Sequence, residues 1–300
     1  MQEPTTHIYK GVLEGMKKDG SRIKIAYRIA ALVCFLVLFG VSYKGVGQQE
    51  KTGCDIVVLG DSILGQYRSD VSIPWQIGDI LGKTVFNGAL GGTSMSRNDR
   101  EWSVGYTKDC LSVTALAEAI ATQDFGVQQA VRSRENATGY FGVTIDSLCT
   151  IDFEEVEILL MGAGVNDYHA GTPIYPEDDD YDEYTYVGAL RSAIRNIQEA
   201  YPDVRIVLMT PTYAWYPDKN LTCEEYNLGG GLLEQYVDAE CQVAQEMGVE
   251  IIDLYHDFYP HEQWEDWQIY TDDGLHPNEA GRALIAETIA DYLKETEVEE

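Results

Sequence analysis

Basic residues are scarce in this chain. Its 300 residues hold 21 Lys and Arg against 50 Asp and Glu, for a net charge of −29. The deficit is uneven: residues 1–44 carry seven Lys/Arg and three Asp/Glu, a local +4, so the remainder stands at −33. So acidic a body is repelled by nucleic acid and by anionic lipid headgroups, which excludes both as partners of its surface. A substrate neutral or cationic at its reacting end fits better, although charge of this kind also serves solubility alone. Cys-x-x-Cys pairs and Cys/His clusters are missing, which argues against a structural zinc site. His169, His256 and His261 have no neighbour at metal-ligand spacing, and nothing in the pattern calls for a metal or another cofactor. The acidic run Glu177 to Glu183 lacks the Gly and closing Glu of a calcium-binding EF-hand loop, and reads as a solvated loop or a pocket rim. Six cysteines are present; with Cys34 in an apolar run, the five others are an odd set that cannot all pair. Two bridges plus one thiol, or five buried thiols, both fit.

Long apolar runs are also missing. The longest is the uncharged stretch of fifteen residues between Arg28 and Lys44, short of the roughly 20 that span a bilayer. Ile25 to Tyr27 and Val46 extend it, and Arg28 and Lys44 can snorkel. Lys17, Lys18, Arg22, Lys24 and Arg28 precede it, which puts the N-terminus on the cytoplasmic side. The division expected is a cytoplasmic basic tail over 1–28, a transmembrane signal-anchor over 29–46, a linker over 47–53, and one folded domain over 54–300 outside the membrane. A cleaved signal peptide, leaving a secreted domain, is the rival reading. GVSYKGVG is a poor cleavage site, and a 28-residue preamble is long for such a peptide. A buried core helix is the third reading, and the basic flank argues against it.

What is present beyond residue 53 is an alternation. Short β-branched runs at 55–59, 83–86, 156–161, 204–209 and 249–254 are apolar on both faces, as buried strands of a parallel sheet are. Helical periodicity fills 70–82, 113–135, 183–200, 229–247 and 278–294, the last with Asn278 as its N-cap. Strands alternating with helices predict a doubly wound α/β sandwich. No repeat of 20–50 residues interrupts it. About sixty residues between Thr93 and Glu155 exceed a minimal crossover; they either shape access to a site or add a helical layer.

In open α/β sheets ligands bind beyond the carboxyl ends of the strands. The first strand is followed by Gly60-Asp61-Ser62-Ile63-Leu64, the second by Asn87-Gly88-Ala89-Leu90-Gly91-Gly92-Thr93, and the third by Gly162-Ala163-Gly164-Val165-Asn166-Asp167. Asp273-Gly274-Leu275-His276 stands just before the last helix. Singly these are weak: Ser62 reads equally as a helix N-cap, Asn166 as a turn residue, and His276 as a partner for some backbone group.

In this order and spacing the four blocks resemble the SGNH (GDSL-like) hydrolase family, over roughly residues 54–295. The first block reads GDSIL rather than GDSL, and the second holds three glycines. Counting five residues on from Asn87, as the family pattern does, selects Gly92. The resemblance implies a three-layer α/β/α sandwich around a mainly parallel sheet of about five strands, a flavodoxin-like arrangement. It implies a serine ester hydrolase in which Ser62 is the nucleophile, His276 its general base, and Asp273 the group that orients the imidazole; Asp272 competes for that last role. The backbone N–H groups of Ser62 and Gly92 and the side-chain amide of Asn166 would form the oxyanion hole, and Asp61 and Asp167 would orient loops. The implied partner is a small-molecule or glycan ester, with acyl transfer on the same site or a binding protein on a decayed fold as alternatives. Trp215, Trp264 and Trp267 either line a carbohydrate cleft or pack. Asn136 and Asn220 head glycosylation sequons.

Overall fold

The computed structural model describes residues 51–97, 108–131 and 139–297. The anchor expected over 29–46, the tail before it, most of the linker, Cys34 and the Asn136 sequon lie outside the described residues.

Seven strands are described: β1 (Ile56–Gly60), β2 (Val85–Asn87), β3 (Ile158–Gly162), β4 (Arg205–Met209), β5 (Trp215–Tyr216), β6 (Leu221–Thr222) and β7 (Glu250–Ile252). Five of them form one sheet in the order β2-β1-β3-β4-β7, every pair parallel. All five sequence-predicted strands are there, with edges shifted by one to a few residues. β1 is buried along its whole length, and helices cover both faces, which is why its sequence runs apolar without alternation.

The helices are α1 (Ser62–Gly65), α2 (Ile73–Leu81), α3 (Val113–Thr122), α4 (Gly126–Val131), α5 (Phe141–Leu148), α6 (Val165–Ala170), α7 (Tyr186–Ala200), α8 (Leu233–Met247), α9 (Trp267–Tyr270) and α10 (Glu279–Glu297). α2 packs on α10, while α3 packs on α7 and α7 on α8, which makes the three layers of an α/β/α sandwich. Asn278 caps α10 as its sequence predicts: its Oδ1 accepts the Gly281 N–H at 3.0 Å.

One expectation needs correction. The helix predicted over 113–135 is broken after Thr122, where Gln123 takes a left-handed φ of 55° and returns its N–H to the carbonyls of Ala119 and Ile120. Helical periodicity survives the break because a C-cap uses one residue and leaves the apolar spacing intact. β5 and β6 form an antiparallel ribbon that was not anticipated, since two-residue strands carry no readable alternation. Cys54, Cys110, Cys149, Cys223 and Cys241 are not joined by any disulfide. Trp215 is buried at 2% exposure and packs edge-on against Tyr213, and Trp264 and Trp267 lie partly buried against the core, so these three pack.

The order of strands reverses between β1 and β3, and a crevice opens there at their carboxyl ends. The two strands meet closely. A Cβ on Gly60 would lie 2.4 Å from the Gly162 carbonyl oxygen, so only glycine lets the chain turn out of β1 at this point.

Candidate active site

Asp61 leaves β1 in extended backbone and caps α1, its carboxylate accepting the Ile63 N–H at 2.9 Å. The capping role considered for Ser62 is thus taken by its neighbour. Ser62 begins the helix with its hydroxyl uncommitted to the cap, and its Oγ lies 3.0 Å from His276 Nε2. That distance is within reach for proton transfer between a nucleophile and its base.

His276 is held from behind. Its Nδ1 lies 2.8 Å from Asp273 Oδ2, while Asp273 Oδ1 accepts the N–H groups of Leu275 at 3.0 Å and His276 at 2.8 Å. A carboxylate at Nδ1 keeps the proton on that nitrogen and turns the Nε2 lone pair toward Ser62. Partial burial raises the Asp273 pKa, but the bonds from His276 and Leu275 outweigh it and hold the carboxyl below its ordinary range. Of the two adjacent aspartates it is therefore Asp273 that meets the imidazole; Asp272 contributes its backbone N–H to the His276 carbonyl at 2.9 Å. The loop is pinned by the Trp215 N–H, which donates to the Gly274 carbonyl at 2.8 Å. Gly274 itself has φ 93°, and a Cβ there would lie 2.6 Å from the Trp215 carbonyl oxygen.

The second block approaches from the other side. Its three glycines separate by hydrogen bonding: the Gly88 N–H donates to Val58 and the Gly91 N–H to the Tyr140 hydroxyl. The Gly92 N–H, at a left-handed φ of 77°, has no partner among the described residues, and neither has that of Ser62. Asn166, in the first turn of α6, donates one Nδ2 hydrogen to the Thr93 carbonyl at 2.9 Å, which ties it to the Gly92 loop. Asp167, fully buried, accepts the N–H groups of Met95 at 2.8 Å and Ser96 at 3.0 Å, and the Ser96 hydroxyl. Burial pushes its carboxyl up to about 6 against those bonds. The loop-orienting reading of Asp61 and Asp167 agrees with these contacts.

Residues 58–284 match the model of the GDSL-like lipase/acylhydrolase family. The chain belongs to this family. Its fold is similar to that of a protein from Lactobacillus plantarum at 20% identity, with 81% of this chain and 98% of the other covered and a TM-score of 0.55. It is similar to a possible lipase from Chitinophaga pinensis at 20% identity, with 81% and 98% covered and a TM-score of 0.51. It also resembles an aryl esterase of M. smegmatis at 15% identity, with 81% and 99% covered and a TM-score of 0.50. At these identities the likeness is one of fold. No curated protein matches the chain.

Two supports of this GDSL-family site are not visible in its motifs. The Tyr186 hydroxyl, on α7, lies 3.1 Å from the Ala163 carbonyl and 2.7 Å from Glu240 Oε2 on α8. Glu240 is fully buried and its Oε1 has no partner among the described residues. Burial holds the Glu240 pKa well above its ordinary value, and the Tyr186 hydroxyl bridges its carboxyl and the Ala163 carbonyl. This relay stands behind Gly164, whose Cβ, if present, would lie 2.6 Å from the Tyr186 hydroxyl. The other support is Tyr140, from the long excursion after Thr93, with Arg68 stacked 4.6 Å from its ring centre. Arg68 also donates to the Ala89 carbonyl at 3.1 Å and to Thr144. The excursion therefore reaches the site, and it also supplies α3 to the helical layer. The acidic run stays outside: Glu177 to Asp180 are exposed, and Glu183 pairs with Arg97.

Proposed function

We propose that this protein is a serine ester hydrolase acting outside the cell on short acyl esters of glycans or small molecules. The observation that carries the reading is the relay from Ser62 Oγ to His276 Nε2 at 3.0 Å and from His276 Nδ1 to Asp273 at 2.8 Å, faced by unspent N–H donors of Ser62 and Gly92. In the reaction, Ser62 Oγ bonds to the ester carbonyl carbon as its proton passes to His276 Nε2. Negative charge moves to the carbonyl oxygen, where the N–H groups of Ser62 and Gly92 and the second Nδ2 hydrogen of Asn166 receive it; one such donor is typically worth about 10²–10³-fold in turnover. Collapse breaks the bond to the alcohol oxygen, which takes the proton from His276. A water then repeats the sequence on the acyl-enzyme and returns Ser62 to its hydroxyl form.

A short acyl group is favoured by the space beneath the site. A cavity of about 30 Å³ lies beside Ile63 and Leu275, the residues flanking Ser62 and His276. That is the room of about one water or one methyl group. The basic stretch before the apolar run at 29–43 supports an uncleaved membrane anchor with the hydrolase outside.

Mass spectrometry after brief exposure to a fluorophosphonate tests the assignment. A single adduct on Ser62, absent from His276→Ala, is expected. Folded protein that takes no adduct, or takes one elsewhere, overturns it.

A further inference from the structure

Beside the nucleophile runs a groove of about 550 Å³, bounded by the edge strand β2 and by α2 and α5. Its size is within the roughly 300–1,000 Å³ common for small-molecule sites. Tyr140 forms the wall it shares with the catalytic crevice. A Cβ placed on Gly91 would be 2.9 Å from the Tyr140 hydroxyl and 3.7 Å from Ser62 Cβ, so the hydroxyl lies no farther from that Cβ than the sum of these. A group bonded directly to the alcohol oxygen of an ester on Ser62 falls within reach of the groove's near end.

The lining is mixed in a telling way. The Trp75 indole is 48% exposed and Val143 is 70% exposed, with Phe86 between them on β2. Ser147 and the guanidinium of Arg68 supply polar groups to the same groove. In this strongly acidic protein Arg97, Arg191 and Arg205 each pair with glutamate. Arg68, like Arg195 and Arg282, has no carboxylate partner among the described residues; it uses the Ala89 carbonyl, Thr144 and the Tyr140 ring. Two of its five N–H donors are spoken for, and the others remain for oxygen acceptors. An acyl chain or an aryl group would offer those donors no acceptor and leave them to water. A sugar ring suits both kinds of wall, since its C–H face covers an indole and its rim carries hydroxyls.

We propose that this groove holds the alcohol portion of the substrate and that this alcohol is a sugar ring, stacked on Trp75 and hydrogen-bonded by Arg68. The proposal rests on the esterase reading above and narrows it. Trp75→Ala and Val143→Trp test it at exposed positions whose change does not threaten the core; the first removes the platform and the second fills the groove. In the full-length chain both lower kcat/KM for an acetylated xylo-oligosaccharide about tenfold, mainly through KM, and leave methyl acetate, whose alcohol is too small to reach the groove, unchanged. Parallel losses on the two substrates, or no loss on either, overturn the proposal. Saturation-transfer NMR of an unacetylated xylo-oligosaccharide on Ser62→Ala gives a readout free of turnover. Transfer that disappears in Ser62→Ala/Trp75→Ala supports the groove even if no ester is cleaved, in which case only the catalytic reading falls. Absence of transfer overturns the groove while p-nitrophenyl acetate turnover leaves the hydrolase reading standing.

Discussion

Tyr186→Phe removes one oxygen and leaves two buried groups without it. The hydroxyl lies 2.7 Å from Glu240 Oε2 and 3.1 Å from the Ala163 carbonyl, and the Glu240 carboxyl already has one oxygen unpartnered. An unsatisfied buried polar group costs about 1–3 kcal/mol. Two such groups, less partial relaxation, put the loss for Tyr186→Phe at about 2–4 kcal/mol, a large fraction of the roughly 5–15 kcal/mol that holds a domain together. Glu240→Leu should behave otherwise. It removes the unsatisfied Oε1 and leaves Tyr186 donating to Ala163, so its effect is near neutral or stabilising. In Tyr186→Phe/Glu240→Leu only the Ala163 carbonyl is orphaned, and the double variant recovers about 1–3 kcal/mol relative to additivity. Urea unfolding with an unchanged m-value measures all four corners of this cycle. Since Ala163 begins the loop carrying Gly164 and Asn166, kcat should fall in Tyr186→Phe as well. If Tyr186→Phe loses under about 0.5 kcal/mol, or the double variant is additive within that margin, the relay is not what supports this loop.

Burial pushes the Asp61 carboxyl up to about 7 from 3.8, so the fold keeps a proton that the unfolded chain releases. Stability then declines as pH rises between about 4 and 7, with Asp167 and Glu240 acting in the same direction. At about 1.4 kcal/mol per pKa unit the Asp61 share is roughly 2–4 kcal/mol. Asp61→Asn keeps an oxygen for the Ile63 N–H and has no proton to lose, so its melting temperature should drop less than wild type between pH 5 and 8; equal drops in a calorimeter would remove Asp61 as a source of the slope. Gly274→Ala meets both an unfavourable φ of 93° and the Trp215 carbonyl 2.6 Å away, so the loop carrying Asp273 and His276 must shift. A loss of at least about tenfold in kcat on p-nitrophenyl acetate is expected; unchanged kcat would mean that the β5–β6 ribbon does not hold the histidine in place.

Much of the fold could be read from local pattern. Buried parallel strands announce themselves as short apolar runs because both of their faces are covered, and Asn278 announces a helix start because capping involves residues three positions apart. Three of the four motifs could be read for a related reason: in a parallel sheet every strand ends at the same edge, so residues following strands gather whatever their distance in sequence. Ser62 and His276, 214 positions apart, meet at that edge. Break points and short elements were less visible. Gln123 interrupts a helix without disturbing its apolar spacing, and a two-residue strand such as Trp215–Tyr216 has no period to detect.

By itself the sequence determined the layer architecture and the order of the blocks, because each depends on periodicity or on position along the alternation, and the roles proposed for Ser62 and His276 come from the resemblance those blocks carry. Tertiary structure alone decided which polar groups were already occupied. It spent the Gly91 N–H on Tyr140 while leaving that of Gly92, and it aimed the carboxylate of Asp273 at the imidazole. It also brought Glu240 to Tyr186, and Trp75 and Tyr140 to one groove, from segments with no shared pattern. Hydrogen-bond satisfaction is a property of pairs, and pairs distant in the chain exist only once it has folded.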